Sequence, residues 1–373
     1  MNINTINPVG ESLQPRAILQ VGGTVIDWTT WKTSHNGIFE AGTAHITIPA
    51  TPDKWSWWTQ QAEIVVDIYA GFPIDPVNYT TNDLTNLFTL RVDLIEIDAK
   101  MQIITLSGRD LTSLLIDKKT SAKYQNQTSS QIAAILAAQV GLQTQITPTT
   151  SLVSGYYSTD HVLMQSEQTP WALLQFLAQR EGMQCFVQGR TLYFGHYGPQ
   201  TQGSYLIKYE PPTAAVPYAV CNAVELALSH DLTLSPDINV RVRSFHGTKN
   251  QAYSFTATAQ KGVKRIERDA KLAQTIPSQY DVILSPGKTL QEVTDKAYEV
   301  LGELSKHEFK LNATLPGDVL IYPWTVLELQ GTGTDFDTRY TCARVDREMT
   351  IDAPKFEVSV TCKSIPISQT VSL

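Results

Sequence analysis

The sequence predicts a mainly β protein with an α+β insertion, in which two β-rich domains flank a small α/β domain. Segments that alternate apolar and polar residues with a period of two dominate residues 1–118 and 204–373. Between them, residues 119–203 change to the period of amphipathic helices. At about 150 residues per domain, 373 residues suffice for two or three domains, each with its own core.

Strands are predicted throughout the first domain. Gly22-Gly23 suits a primed hairpin turn, because glycine adopts the positive φ angles that such a turn requires. Further strand-like runs cover residues 44–49, 63–69, 87–98 and 101–106.

Helix caps mark two helices in the middle block. Thr128 and Gln131 have the spacing of a capping box, and Gly141 stands where a helix stop belongs. Thr169 precedes Pro170, a residue favoured in the first helical turn, and Gly182 ends that helix. A short hairpin follows over 185–194, so residues 119–203 form a compact α/β domain in this interpretation.

Strands return in the second β-rich domain, residues 204–373, over 221–229, 238–245, 325–330, 339–345 and 355–362. One helix interrupts them at about 289–306. Thr289 and Glu292 form its capping box, and an apolar stripe follows at helical spacing.

An internal repeat links the two β-rich regions. Residues 91–99 (RVDLIEIDA) resemble residues 344–353 (RVDREMTIDA), and residues 65–68 resemble 326–329. Chance similarity between amphipathic hairpins is the alternative. A duplicated domain would give each chain two similar units, so a trimer would present six of them in a ring.

Composition excludes several classes of protein. The chain carries 29 Lys+Arg against 36 Asp+Glu, a net charge of −7, which argues against general binding of a phosphate backbone. No segment approaches the ~18 apolar residues of a membrane span, so no membrane insertion is expected. Four separated cysteines without a CxxC pair argue against zinc, although Cys342 and Cys362 could face each other on neighbouring strands.

No catalytic, cofactor-binding or metal-binding residue is predicted, and the protein is not expected to be an enzyme. Gly287-Lys288-Thr289 lacks the first glycine of a phosphate-binding loop, and Thr289 suits a helix cap better. Asp335 and Asp337 lack the spacing of a calcium loop, which favours a turn. The histidines form no cluster, and Asp160-His161 is adjacent only in sequence.

An aromatic cluster, Trp55, Trp57 and Trp58, lies in the first domain. It is interpreted as packing or a protein interface, because aromatic residues are enriched at interfaces. A carbohydrate platform is the alternative, and it would place the chain among glycan-binding modules.

Three segments, in order, resemble the phage late control protein D family of baseplate hubs. They are residues 107–115 with the motif Gly-Arg-Asp-Leu, residues 166–194, and residues 315–345. The chain departs from the family pattern in the last hairpin, where members often carry a histidine and this sequence has Arg347 or Glu348. That departure weakens the assignment to a subfamily and does not affect the implied function.

The resemblance implies two tail-tube-like barrels around the α/β domain, in a virion structural protein of a contractile tail. Such a hub is a homotrimer that joins the sixfold tube to the threefold spike, around a channel through which DNA passes without specific binding. The implied partners are the tube or tube-initiator protein, the central spike protein, baseplate wedge proteins and the tape measure protein. The location would be the tail baseplate of the virion, assembled in the host cytoplasm.

Two alternatives stay open within this resemblance. The chain could be the hub part of a type VI secretion spike. Such chains usually continue into a β-helical needle, and no repeat of that kind is expected within residues 1–373. It could also be a tail-associated protein that degrades the cell wall or binds glycans.

Overall fold

The computed structural model describes eleven segments and two short pieces of the chain. These are residues 14–37, 40–119, 124, 126–150, 152–153, 169–197, 204–231, 238–246, 251–259, 278–284, 289–305, 308–351 and 355–365.

Seven strands near the N-terminus form one antiparallel sheet. They are β1 (Arg16–Val21), β2 (Thr24–Ile26), β3 (Thr30–Asn36), β4 (Thr43–Pro49), β5 (Val65–Gly71), β6 (Thr85–Asp98) and β7 (Ile103–Asp110). Their spatial order is β3-β4-β7-β6-β5-β1-β2. Helix α1 (Pro52–Gln60) connects β4 to β5. Gly22 and Gly23 both have positive φ at the predicted β1–β2 turn.

The first sheet curves around its own core. Six of its strands contribute a fully buried side chain to one cluster: Leu19, Trp31, Ile46, Val66, Leu90 and Leu106. Side chains from one face of a single sheet meet in this way only if the sheet bends strongly, so the unit is barrel-like.

The middle block has the α/β content expected from its helix caps. It comprises α2 (Ser113–Ile116), α3 (Ser129–Ala138), β8 (Gln143–Ile146), α4 (Pro170–Arg180), β9 (Gln184–Gln188) and β10 (Thr191–Gly195). The capping box forms as predicted, because Gln131 N–H donates to Thr128 Oγ1 and the Gln131 side chain accepts from Thr128 N–H. Gly141 and Gly182 have positive φ angles at the two predicted helix stops.

A second seven-stranded sheet repeats the order of the first. Its strands are β11 (Ser204–Glu210), β12 (Val220–Cys221), β13 (Glu225–His230), β17 (Phe309–Pro316), β18 (Val326–Gln330), β19 (Arg339–Thr350) and β20 (Lys355–Ser364). They follow the order β13-β17-β20-β19-β18-β11-β12, strand for strand equivalent to the first sheet. One pairing differs: β11 runs parallel to β18, whereas its counterpart β1 runs antiparallel to β5. A mainly β fold with a few helices is therefore confirmed.

A separate three-stranded sheet is inserted between β13 and β17. It consists of β14 (Ile238–His246), β15 (Gln251–Ala259) and β16 (Ser278–Ile283), in the order β15-β14-β16, and is covered by α5 (Leu290–Ser305). Buried Val240, Val293 and Ala297 belong to its core. The range 204–373, assigned above to one barrel domain with a helix, thus contains two hydrophobic cores.

The sequence repeat lies on equivalent strands but is displaced from the structural register. Val65 pairs with Arg91, and its counterpart Val326 pairs with Thr341. Arg91 is therefore equivalent to Thr341, three residues before the Arg344 that the sequence similarity suggests. The β-bulges agree, since β6 shifts register between Val92 and Leu94 and β19 between Cys342 and Arg344. Residues 352–354, which include Asp352-Ala353 of the repeat, lie outside the described residues.

Within the described residues, no helix has the length and apolar character needed to cross a membrane.

Candidate assembly surfaces and the junction between the sheets

Strands β3 and β19 join the two seven-stranded sheets into one fourteen-stranded sheet. The second half of β19 extends past the end of β18 and, still paired with β20 on its other side, pairs antiparallel with β3, from Arg344 opposite Asn36 to Thr350 opposite Thr30. Met349 of β19 and Phe356 of β20 are buried in the first core. We call this β3–β19 pairing the internal junction.

A buried arginine stands at the centre of the internal junction. Arg347 points inward from β19 and is 1% exposed. Its guanidinium donates to the backbone oxygens of Asp318 and Ile321 and lies 4.8 Å from the centre of the Tyr322 ring. Such an arrangement satisfies the donors of a buried cation without a direct carboxylate partner.

His35 of β3 completes this polar group from the other sheet. Its Nδ1 lies 3.4 Å from a guanidinium nitrogen of Arg347, and its Nε2 lies 2.9 Å from the backbone oxygen of Leu87. Arg347 can only donate, so Nδ1 accepts and the Nε2–H donates to Leu87. Burial, with a smaller contribution from Arg347, lowers the pKa of His35 to about 3. The imidazole is therefore neutral at physiological pH.

The Gly-Arg-Asp-Leu motif connects the first sheet to the middle block. Gly108 faces β6 so closely that a Cβ would lie 2.1 Å from the backbone oxygen of Arg91. Arg109 binds the carboxylates of Asp93 and Asp117. Asp110 accepts from the backbone N–H groups of Gly42 and Thr112, and burial raises its pKa to about 6. Leu111 is buried in the core of the middle block, so each motif residue has an architectural contact.

The tryptophan cluster is divided between the core and the surface. All three residues lie on α1, which the sequence interpretation missed. Trp58 is buried, Trp55 packs against the core and donates to the backbone oxygen of Ala50, and Trp57 is 48% exposed. The rings of Trp57 and Trp58 meet edge to face at 4.7 Å.

The predicted cysteine proximity is confirmed. Cys342 and Cys362 are opposite residues of β19 and β20, both are free thiols, and their sulfurs lie 3.4 Å apart. Burial raises the pKa of the Cys362 thiol well above its ordinary value. Because reactivity requires the thiolate, this environment favours a packing role for both sulfurs.

The segments considered for chemistry have structural contacts where they are described. Asp337 closes a turn by accepting from the backbone N–H groups of Thr332 and Gly333. Thr289 caps α5 with Glu292, while residues 285–288 and Asp160-His161 lie outside the described residues. In the part of the chain that the structure describes, no group of three or more His, Cys, Asp or Glu side chains is arranged to hold a metal ion.

Several strand edges outside the internal junction have no strand partner among the described residues, and two of them correspond to the strands of the junction. One is the edge of β13 opposite β17, and the other is the side of β6 beyond its pairing with β5, over residues 94–98. These edges are the counterparts of β3 and of the second half of β19. Sequence reasoning missed this relationship because strand order cannot be read from the alternation of residues alone.

Solved structures of phage tail proteins share this fold over nearly its whole length. A tail protein from Neisseria meningitidis MC58 aligns with a TM-score of 0.66 and 14% identity, covering 94% of this chain and 97% of that chain. The 43 kDa tail protein of prophage MuSo2 from Shewanella oneidensis aligns with a TM-score of 0.63 and 13% identity, covering 93% and 97%. The chain therefore has the fold of phage tail proteins.

A chain of the Francisella PdpA-VgrG complex also aligns, with a TM-score of 0.51 and 8% identity, covering 98% of this chain and 60% of that chain. No family model matches the sequence, and no curated protein sequence matches it significantly.

Proposed function

We propose that the protein is a structural hub of a phage-type tail baseplate, a homotrimer that adapts the sixfold tail tube to the threefold central spike. The observation that carries the proposal is the duplicated sheet: two seven-stranded units with the same strand order occur in one chain. Three such chains contain six equivalent units, which is the number a sixfold tube requires.

The shared fold supports this assignment, because the likeness to the two phage tail proteins extends over both sheets and the blocks between them. The architectural contacts of the Gly-Arg-Asp-Leu motif also suit a structural protein without catalytic activity. An acidic channel wall would repel DNA and let it pass, in keeping with the net charge of −7. The remaining proposed partners are the tube-initiator, wedge and tape measure proteins, and the proposed location is the tail of the virion.

The test is the mass of the purified chain, measured by light scattering alone and together with the tail proteins encoded beside it. We expect three times the 41.4 kDa of one chain, either alone or in the complex with the spike protein. A chain that stays monomeric and never enters a threefold complex would refute the hub assignment. Release of peptidoglycan fragments by the pure protein would refute the non-enzymatic role.

A type VI secretion spike hub is the second candidate, favoured by the likeness to a chain of the PdpA-VgrG complex. Co-purification separates the two candidates. Association with a phage tube protein supports the baseplate hub, and association with a type VI tube protein supports the spike.

A further inference from the structure

We propose that copies of this chain join through main-chain pairing of β13 in one copy with residues 94–98 of β6 in the next, repeating between chains the internal junction within each chain. This inference rests on the proposed homotrimer and specifies its interface. The edges of β13 and of residues 94–98 belong to the same chain and are complementary. Each copy therefore pairs through β13 with one neighbour and through residues 94–98 with the other. Contacts of this heterologous kind close into a ring when the rotation permits.

The strand pairings fix the register that the interface would have. Across the first sheet, Trp31 aligns through Ile46 and Leu106 with Ile95. Across the second sheet, Leu226 aligns through Ala313 and Val360 with Val345. When the two sheets are superposed on these aligned residues, β13 corresponds to β3. Leu226 then corresponds to Trp31, and His230 corresponds to His35.

In the internal junction, Val345 lies opposite His35 and Arg347 opposite Thr33. The equivalent pairs between chains follow directly. Ile95 would lie opposite His230, Glu96 opposite Ser229, Ile97 opposite Leu228, and Asp98 opposite Ala227. No two like charges face each other, and the inward pair Ile97–Leu228 is apolar. Both edges therefore fit each other chemically as well as topologically.

Burial gives an independent indication that these edges are covered in the assembly. The inward side chains at the internal junction are almost fully enclosed: Val345, Arg347, Trp31 and Thr33 are 0%, 1%, 0% and 3% exposed. Their counterparts at the unpaired edges only partly reach their cores, namely Ile95 and Ile97 on β6 and Leu226 and Leu228 on β13. Pairing the edges would complete the burial of all four, and it would remove two strand edges that otherwise invite aggregation.

Disulfide trapping tests this register. At the internal junction, Gly37 N–H donates to Ala343 and Ile351 N–H donates to Thr29, which makes Ser34–Asp346 a pair without mutual hydrogen bonds. Such pairs have Cα atoms about 4.5 Å apart, within disulfide range. Ser229 and Glu96 are the equivalent pair between chains, and both are exposed. Chains carrying Glu96→Cys are mixed with chains carrying Ser229→Cys, allowed to assemble, and oxidised.

All chains in the experiment carry Cys221→Ser, because Cys221 is half-buried, whereas Cys185, Cys342 and Cys362 are buried. We expect a covalent dimer in the mixture and none with either variant alone or with the Cys221→Ser chain. The matched control uses chains carrying Glu225→Cys instead of Ser229→Cys. Position 225 lies four residues from position 229 on the same strand, a distance of about 13 Å. Equal cross-linking of this control would refute the register.

Light scattering on the same samples separates the two proposals. A sample with the mass of a trimer that gives no covalent dimer refutes this interface and leaves the proposed hub intact. A sample that remains monomeric, alone and with its tail partners, refutes both.

Discussion

The neutral, enclosed imidazole of His35 should make the internal junction sensitive to acid. The His35 side chain accepts a hydrogen bond from Arg347 and donates one to Leu87. Protonation would turn the acceptor nitrogen into a second donor that faces a guanidinium. His35→Gln removes the titration and keeps one donor and one acceptor in the side chain.

The magnitude follows from the pKa of about 3 in the folded chain against 6.5 in the unfolded chain. A depressed pKa means that the stabilisation is complete above pH 6.5 and is lost as the pH falls toward 3, because only the unfolded chain takes up the proton. Well below pH 6.5 each pH unit costs about 1.4 kcal/mol, so the fall from pH 7.5 to 4.5 removes roughly 2.7 kcal/mol.

Urea unfolding of the two proteins at several pH values between 7.5 and 4.5 measures this difference. Asp110 has the opposite effect, because its raised pKa of about 6 increases the stability of the folded chain as the pH falls. Both proteins contain Asp110, so its contribution cancels in the difference between their free energies of unfolding. His45→Gln removes an exposed imidazole from β4 and controls for the loss of a histidine. A constant difference in the free energy of unfolding between His35→Gln and the unmodified chain across this range would refute the reasoning.

Three further substitutions have outcomes fixed by local geometry. Gly108→Ala should cost about 3 kcal/mol in urea unfolding, because the new methyl group would collide with the backbone of β6, whereas Ser107→Ala on the same strand should cost under about 1 kcal/mol. Trp58→Ala should cost about 3–5 kcal/mol and Trp57→Ala less than about 1.5 kcal/mol, and equal losses would contradict the division between core and surface. Thr289→Ala should cost about 1 kcal/mol and speed hydrogen exchange in the first turn of α5, and unchanged exchange would argue against the cap.

Local signals in the sequence predicted the helices and most strands well. The caps at Thr128, Thr169 and Thr289 are all observed, because a capping hydrogen bond depends on residues only a few positions apart. Helix α1 was missed, since its polar and aromatic residues follow no clear helical stripe and Pro52 is its main signal.

Long-range relationships were less accessible from the sequence. The repeat was found on the correct strands, but a chance match of Arg91 with Arg344 displaced it by three residues. The β-bulge at residues 92–94 makes such an odd displacement possible, because Val92 and Ile95 both pack against the same core. Arg347 at an inward position between Val345 and Met349 was the visible sign of a buried polar group. Its partners on β3 and in residues 318–322 depend on tertiary packing that the sequence does not display.

The internal junction also governs when this chain can finish folding. Strand β3 is complete at Asn36, but its partner on β19 extends to Thr350, more than three hundred residues later. At about 5–20 residues per second of synthesis, the edge of β3 remains unpaired for roughly 15 to 60 seconds before β19 emerges from the ribosome. During that interval the nascent first sheet exposes a strand edge next to Trp31, and a second nascent chain on the same messenger carries an identical one. Pairing between such edges is the misassembly to expect when the protein is overproduced.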